Sequence, residues 1–199
     1  LLNAIPFDKE SYMSAKKVLV FAGSARKGSV NKKCAAVAAE KAKAAGADVT
    51  LIDLADFPAP VYDGDIEAND GLPKTMQDLK ALIAGSDGLL IVTPEYNGCP
   101  PPLLINVFAW TSRPEGDNAS CAAYAGKRVA IAAASPGGLG GVRVIPRLRD
   151  ALAELTAVPI PGFATLPGAF QAFDDDGGLK DEKAGGMLDG LVARLVAAI

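Results

Sequence analysis

No histidine occurs anywhere in the 199 residues. That absence excludes Ser-His-Asp and Cys-His relays, His-ligated metal sites and an imidazole general base. An enzyme of this composition is expected to take its chemistry from a cofactor. Cysteine is scarce as well: Cys34, Cys99 and Cys121 are odd in number, far apart, and in no CxxC pair. A disulfide framework is not expected, and a reducing compartment, the cytoplasm, fits better. No apolar run approaches the roughly 20 residues that span a bilayer, so no membrane association is expected. Nor is there an excess of positive charge. Lys and Arg number 20 against 23 Asp and Glu, the net charge is −3 and the pI about 5.0, which argues against a nucleic-acid face. The acidic run "FDDDGGLKDE" lacks an ordered ligand spacing, and no metal site is expected. The start, "LLNAIPFDKESYMSAKK", lacks the basic-then-apolar order of a signal peptide. Residues 1–15 are expected to form an arm, either native or left over from expression, and possible disorder is part of that expectation; residues 16–199 are expected to form one domain.

What is present is a well-stocked core and an alternating pattern. Half of the residues (50%) are hydrophobic and 22% are charged, enough for a single domain. "KKVLVFAG" reads as a strand covered on both faces, and residues 29–45 as a helix ended by Gly46. "ADVTLIDL" is the second expected strand. A Pro-, Asp- and Gly-containing loop from Phe57 to Gly71 follows, long enough to suggest a function. The helix "LPKTMQDLKALIAG", with Pro73 in its first turn, leads to a third strand, "DGLLIVT". After "PEYNGCPPP" come a helix from about Leu103 to Arg113, the strand "KRVAIAAA" and the loop "SPGGLGG". A helix over about Val142–Thr156, a fifth strand "AVPIPGFA" and a last helix near Leu179–Ile199 complete the order.

Five strands alternating with five helices predict an α/β fold with a parallel sheet. Pro159 and Pro161 cannot donate ladder hydrogen bonds, which places the fifth strand at an edge. The flavodoxin-like order 2-1-3-4-5, a three-layer sandwich with helices on both faces, meets that condition. It also brings "GSARKGSVN", "TPEYNG" and "SPGGLGG" to one rim, at the carboxyl ends of the strands.

The first of these loops is unusual in its charge. A helix N-terminus favours Asp or Glu in its first turn. Here Arg26, Lys27, Lys32 and Lys33 surround it, with no acid from Lys16 until Glu40. Gly23 and Gly28 have P-loop spacing, but Ser29 and Val30 stand where the phosphate lysine and the magnesium hydroxyl belong. G-x-G-x-x-G is absent, although Asp53 ends the second strand where a ribose-binding acid would sit. One reading is a single phosphate monoester held by backbone N–H groups, by Ser24, Ser29 and Asn31, and by the guanidinium fork of Arg26. The alternative is a solvated basic turn in which Ser29 is an ordinary N-cap. Tyr96 offers a π face, Gly98 permits a strained turn, and the glycines of "SPGGLGG" admit close backbone approach. Each also has a plain alternative: an aromatic against a partner subunit for Tyr96, and a hinge for the glycines. Trp110 reads as core or dimer surface.

Together the three loops resemble the NADPH-dependent FMN reductase family of flavodoxin-like quinone, chromate and azo-dye reductases. The family's first loop, G-S-x-R-x-x-S-x-N, is matched by Gly23, Ser24, Arg26, Ser29 and Asn31. The resemblance implies that Ser24, Arg26, Ser29, Val30 and Asn31 hold the FMN phosphate. It implies that Pro94, Glu95, Tyr96 and Asn97 line the isoalloxazine, and that Ser135, Gly137 and Gly138 contact its polar edge. Arg113 and Arg143 are candidates for the NADPH phosphates. Hydride would pass from NADPH through FMN to quinones or similar acceptors, with chromate, azo dyes and free flavin as further possibilities and no side chain required as catalyst. A flavodoxin-like electron carrier or redox sensor is the rival reading. The apolar stretch "CPPPLLINVFAW" suggests a homodimer or homotetramer. Cys99-Pro100-Pro101-Pro102 departs from the family pattern and is expected to shift the entry to the next helix; Pro146, inside a predicted helix, is a second departure.

Overall fold

The computed structural model describes residues 15–199. The expectation for an N-terminal arm therefore lies almost wholly outside the described residues. Strands β1 (Lys17–Ala22), β2 (Asp48–Ile52), β3 (Gly88–Thr93), β4 (Arg128–Ala134), β5 (Val158–Pro159) and β6 (Ala164–Leu166) form one sheet. Its order is β2-β1-β3-β4-β5, with β6 also paired to β4, and every pairing is parallel. The helices are α1 (Val30–Ala44), α2 (Gly64–Asp70), α3 (Lys74–Ala84), α4 (Pro102–Thr111), α5 (Val144–Glu154) and α6 (Glu182–Ala198). None of the described helices is long and apolar enough to cross a membrane.

The continuous apolar runs divide by alternation between two cores, as period-two side chains must. Val18, Val20, Leu90, Val92 and the alanines 130, 132 and 134 face α1 and α6. Leu19, Phe21, Leu89, Ile91, Val129 and Ile131 face the opposite layer, with Met76, Leu79, Trp110 and Leu148. α1 presents mainly Ala35, Ala38, Ala39 and Ala42 to its core, and small residues let it lie close to the sheet.

Three expectations need correction. The loop from Phe57 to Gly71 contains α2, and its first half covers α4: Trp110 Nε1 donates to the Pro60 carbonyl at 2.9 Å, and Asn106 donates to the same oxygen at 2.9 Å. Trp110 is consequently core, fully buried. The apolar excess of "LLINVFAW" is thus absorbed largely within the chain, with Ile105 remaining exposed.

The fifth strand is broken in two. Ile160 still donates to Val129 at 2.9 Å, but Pro161 has no N–H and Gly162 turns left-handed at φ 83°, so the chain leaves the ladder before β6 rejoins it. Arg149 of α5 donates to the freed carbonyls of Pro159 (3.3 Å), Ile160 (2.8 Å) and Gly162 (3.2 Å).

The prolines cause little displacement. α4 begins at Pro102, one residue earlier than expected, with Pro101 as its N-cap. α5 begins at Val144, so Pro146 falls in its first turn, where a missing N–H leaves no intrahelical bond unmade.

Candidate functional site

A cleft of about 200 Å³ opens where the loops after β1, β3 and β4 meet. Ser24, Arg26, Ser29, Val30, Asn31, Pro94, Glu95, Tyr96 and Ser135 line it, joined by Ala134, Pro136 and Phe170. Its floor is the N-terminus of α1. Ser29 occupies the N-cap position with extended backbone (φ −60°, ψ 126°), yet its side chain makes no capping hydrogen bond and the first turn holds no acid. The first bond into the helix is Lys33 N–H to the Ser29 carbonyl at 3.1 Å, which leaves the N–H groups of Val30, Asn31 and Lys32 without an intrahelical partner. A ring of donors at the positive end of a helix dipole therefore faces the cleft.

The cations around it are not equivalent. Lys32 Nζ pairs with Asp53 Oδ2 at 2.5 Å and donates to the Ala25 carbonyl at 3.1 Å, tying the loop to the end of β2. Asp53 in turn accepts from Ala55 N–H at 2.9 Å, so it is a strand-end anchor and caps the next turn. Burial alone would raise the Asp53 carboxyl, but the Lys32 hydrogen bond, the Ala55 N–H and the Lys32 charge hold it below the ordinary 3.8. Lys33 instead lies over the Phe173 ring at 5.7 Å. Arg26 is exposed and belongs to none of the ion pairs found among the described residues.

The loop after β3 is a tight hairpin. Tyr96 and Cys99 exchange both backbone hydrogen bonds (3.0 and 2.9 Å) across Asn97 and Gly98, whose φ values are 54° and 77°. Two consecutive left-handed residues are what an Asn-Gly type I′ turn supplies. The turn leaves Tyr96 50% exposed at the mouth of the cleft. Beyond β4, a Cβ added to Gly138 would meet no protein atom within 4 Å, and one on Gly137 only Ser135 Oγ at 3.8 Å. Packing does not demand glycine at either position. It does at Gly140, where φ is 60° and a Cβ would lie 2.9 Å from the Pro167 nitrogen.

A family model described as NADPH-dependent FMN reductase matches residues 16–171. The chain belongs to this family. It is 36% identical over 167 residues to a quinone reductase of Pseudomonas putida, covering 83% of this chain and 85% of that protein. A quinone reductase of Escherichia coli K12 is 36% identical over 188 residues, with 93% and 95% covered. Among solved structures, the flavoenzyme NAD(P)H:(acceptor) oxidoreductase FerB of Paracoccus denitrificans superposes with a TM-score of 0.75 at 32% identity, covering 92% of this chain and 96% of that one.

The residues present fit the phosphate of FMN. Among the described residues, the N–H groups at the helix start, the uncapped serine and Arg26 are a donor set without a protein acceptor, and open space over Gly137 and Gly138 admits a flat ring nearby. Several residues expected in this FMN reductase to touch cofactor or NADPH are occupied otherwise. Both ends of the Asn31 amide pair with Ala134: Nδ2 donates to its carbonyl and Oδ1 accepts from its N–H, each at 3.0 Å. Asn31 is thus a clamp between α1 and β4. Asn97 forms the hairpin turn and does not line the cleft, and neither do Gly137 and Gly138. Glu95 and Arg143 pair with each other, Nη2 to Oε1 at 2.6 Å. Arg113 is carried away from the rim by the ten-residue α4, about 15 Å at 1.5 Å per residue. Its guanidinium lies over the Tyr62 ring at 5.2 Å, and its Nε is buried without a partner.

Sequence reasoning missed Phe170, which lines the cleft and is 64% exposed. Its position depends on β6: Ser135 N–H donates to the Leu166 carbonyl, and Ala169 N–H donates back to Ser135, both at 3.1 Å. No local pattern announces such a pairing. Cys34, beneath the site on α1, is buried, and that burial pushes its thiol up to about 12.

Proposed function

We propose that the chain is an FMN-dependent NAD(P)H:quinone oxidoreductase in which the α1 N-terminus holds the cofactor phosphate. The observation that carries this reading is the cluster of Val30, Asn31 and Lys32 N–H groups, unpaired among the described residues, beside the uncapped Ser29 and exposed Arg26, at the rim of a family member. Bound there, FMN supplies the hydride relay between nicotinamide and acceptor. The protein's part is to bind, orient and exclude water. Ser24, Ser29 and Arg26 bind the phosphate together with the helix N–H groups. Pro94, Tyr96 and Ser135 bound the ring from the cleft wall, and the open backbone at Gly137 and Gly138 leaves room for it beyond that wall. No described side chain is assigned to move a proton, in keeping with a sequence that lacks histidine.

Quinones are the proposed acceptors because relatives of about one-third identity carry that activity in their names. NADPH is the proposed donor. Chromate, azo dyes and free flavin are secondary candidates, and the cytoplasm is the proposed compartment. A second copy of the chain, in a dimer or tetramer, is proposed to wall the mouth of the cleft, where Tyr96 and Phe170 stay exposed.

The test is the visible spectrum of the purified protein followed by NADPH oxidation with a benzoquinone. A flavin spectrum with released FMN by mass spectrometry, and steady turnover, are expected. Released FAD, no uptake of micromolar FMN, or a flavin that NADPH does not reduce would overturn the proposal; the last result would restore the electron-carrier reading.

A further inference from the structure

Glu95 lies on the loop after β3, yet among the described residues every hydrogen bond its carboxylate makes goes to one residue of the loop after β4. Arg143 N–H donates to Oε2 at 3.0 Å, Nε donates to Oε1 at 2.7 Å, and Nη2 reaches Oε1 at 2.6 Å. The carboxylate side chain is 5% exposed and that of Arg143 63%. The contact is reinforced on both sides. A Cβ added to Gly141 would lie 3.7 Å from the Glu95 Cβ, so the turn through Gly141 runs beside the Glu95 side chain. One turn along α5, Arg147 donates to the Arg143 carbonyl at 2.8 Å, and its guanidinium lies 3.5 Å from where a Gly98 Cβ would be. Two arginines of one helix entry therefore hold the same hairpin, one through Glu95 and the other against Gly98.

We propose that the Glu95–Arg143 pair is a latch that fixes the Tyr96–Cys99 hairpin against the turn through Gly141, and so sets the ring-binding half of the cleft. In this role Arg143 is a positioning residue and not a ligand of FMN or NADPH phosphate. The burial decides between the roles. A carboxylate so withdrawn from water needs its cation, because taking the partner away leaves the buried charge uncompensated. Recruiting Arg143 to a nucleotide phosphate would do that to Glu95. The geometry agrees, since the Nε and Nη2 edge that would grip a phosphate already grips the carboxylate.

This inference rests on the flavin reading above, and comparison of FMN with riboflavin separates the two. Riboflavin has the ring and lacks the phosphate. Dissociation constants are measured by quenching of flavin fluorescence for wild type, Glu95→Gln, Arg143→Ala and Arg143→Lys. If the pair positions the ring site, Glu95→Gln and Arg143→Ala weaken both flavins by the same factor, about tenfold, the scale of one charged hydrogen bond. The FMN-to-riboflavin ratio stays at its wild-type value, and the bound flavin's absorption bands shift. Arg143→Lys, which restores the charge without the fork, recovers part of the loss. A loss confined to FMN would make Arg143 a phosphate ligand, and unchanged affinity for both flavins would mean the loops keep their places without the pair; either overturns the latch. Should Arg143→Ala prove too unstable to purify, Glu95→Gln, which buries no unpaired charge, carries the same comparison. Wild-type protein that binds neither flavin would overturn the functional reading itself.

Discussion

Arg26 and Asn31 stand five residues apart, one in the loop after β1 and the other in the first turn of α1, and their side chains are engaged differently. Arg26 is exposed and in no ion pair among the described residues, whereas Asn31 is 3% exposed with both amide ends engaged by Ala134. Arg26→Ala should weaken FMN binding by about 1.5–3 kcal/mol, the range for a hydrogen bond to a charged group, and leave urea unfolding unchanged. Asn31→Ala should instead lower stability, by about 1–3 kcal/mol for each backbone group of Ala134 left unpaired. Titration with FMN and urea melts on the two variants check both halves, and the reverse pattern would place the phosphate elsewhere. Ser29→Ala should cost FMN binding only about 1 kcal/mol, a single neutral bond. The cysteines give a chemical check on burial. With iodoacetamide near pH 8, exposed Cys99 should be alkylated in the folded protein, while enclosed Cys34 should react only in denaturant. Peptide mass spectrometry reads the result.

At the scale of elements, the edge of the sheet and the entry to α1 each hang on one cation. Arg149 satisfies three carbonyls that the interrupted fifth strand leaves without ladder partners. Arg149→Met keeps much of the aliphatic stem and removes the donors. It should lower the unfolding free energy by about 1.5–3 kcal/mol, and amide exchange should quicken first in β5 and β6. A variant with wild-type exchange at that edge would show that water serves those carbonyls equally well. The Lys32–Asp53 pair ties α1 to the end of β2, and its contribution has a definite sign with pH. The folded carboxyl is held below the ordinary 3.8, so the pair stabilises at neutral pH, and that stability is lost as pH falls through the lowered value. Urea melts of wild type and Asp53→Asn should therefore differ near pH 6 and converge as pH drops below about 3.8.

For the whole molecule, the proposed function has donor and acceptor both meet the cofactor at one cleft of about 200 Å³ at the rim. Turnover should accordingly be ping-pong. Double-reciprocal plots with a benzoquinone at several fixed NADPH concentrations should be parallel; intersecting lines would mean that both substrates bind at once. Light scattering at assay concentration should report a dimer or larger, and a monomer would remove the shared wall at Tyr96 and Phe170.

The alternating apolar runs, the edge prolines and the three rim loops make the parallel sheet and its order legible in the sequence. These features are local: side-chain period, missing N–H groups and turn residues act within a few positions of themselves. The donor-rich entry to α1 was legible for the same reason, because charge at a helix N-terminus can be read along the chain. The fate of individual polar side chains could not be read that way. Asn31 meets Ala134 at a separation of 103 residues, and Glu95 meets Arg143 at 48. Each was a plausible ligand by type and position, and each is engaged by a partner that only the packing of layers delivers. Phe170 enters the cleft because β6 pairs with β4, and Trp110 leaves the surface because the segment at Pro60 folds over α4. A sequence displays which groups could bind; tertiary contacts satisfy most of them internally, and the unsatisfied remainder is the site.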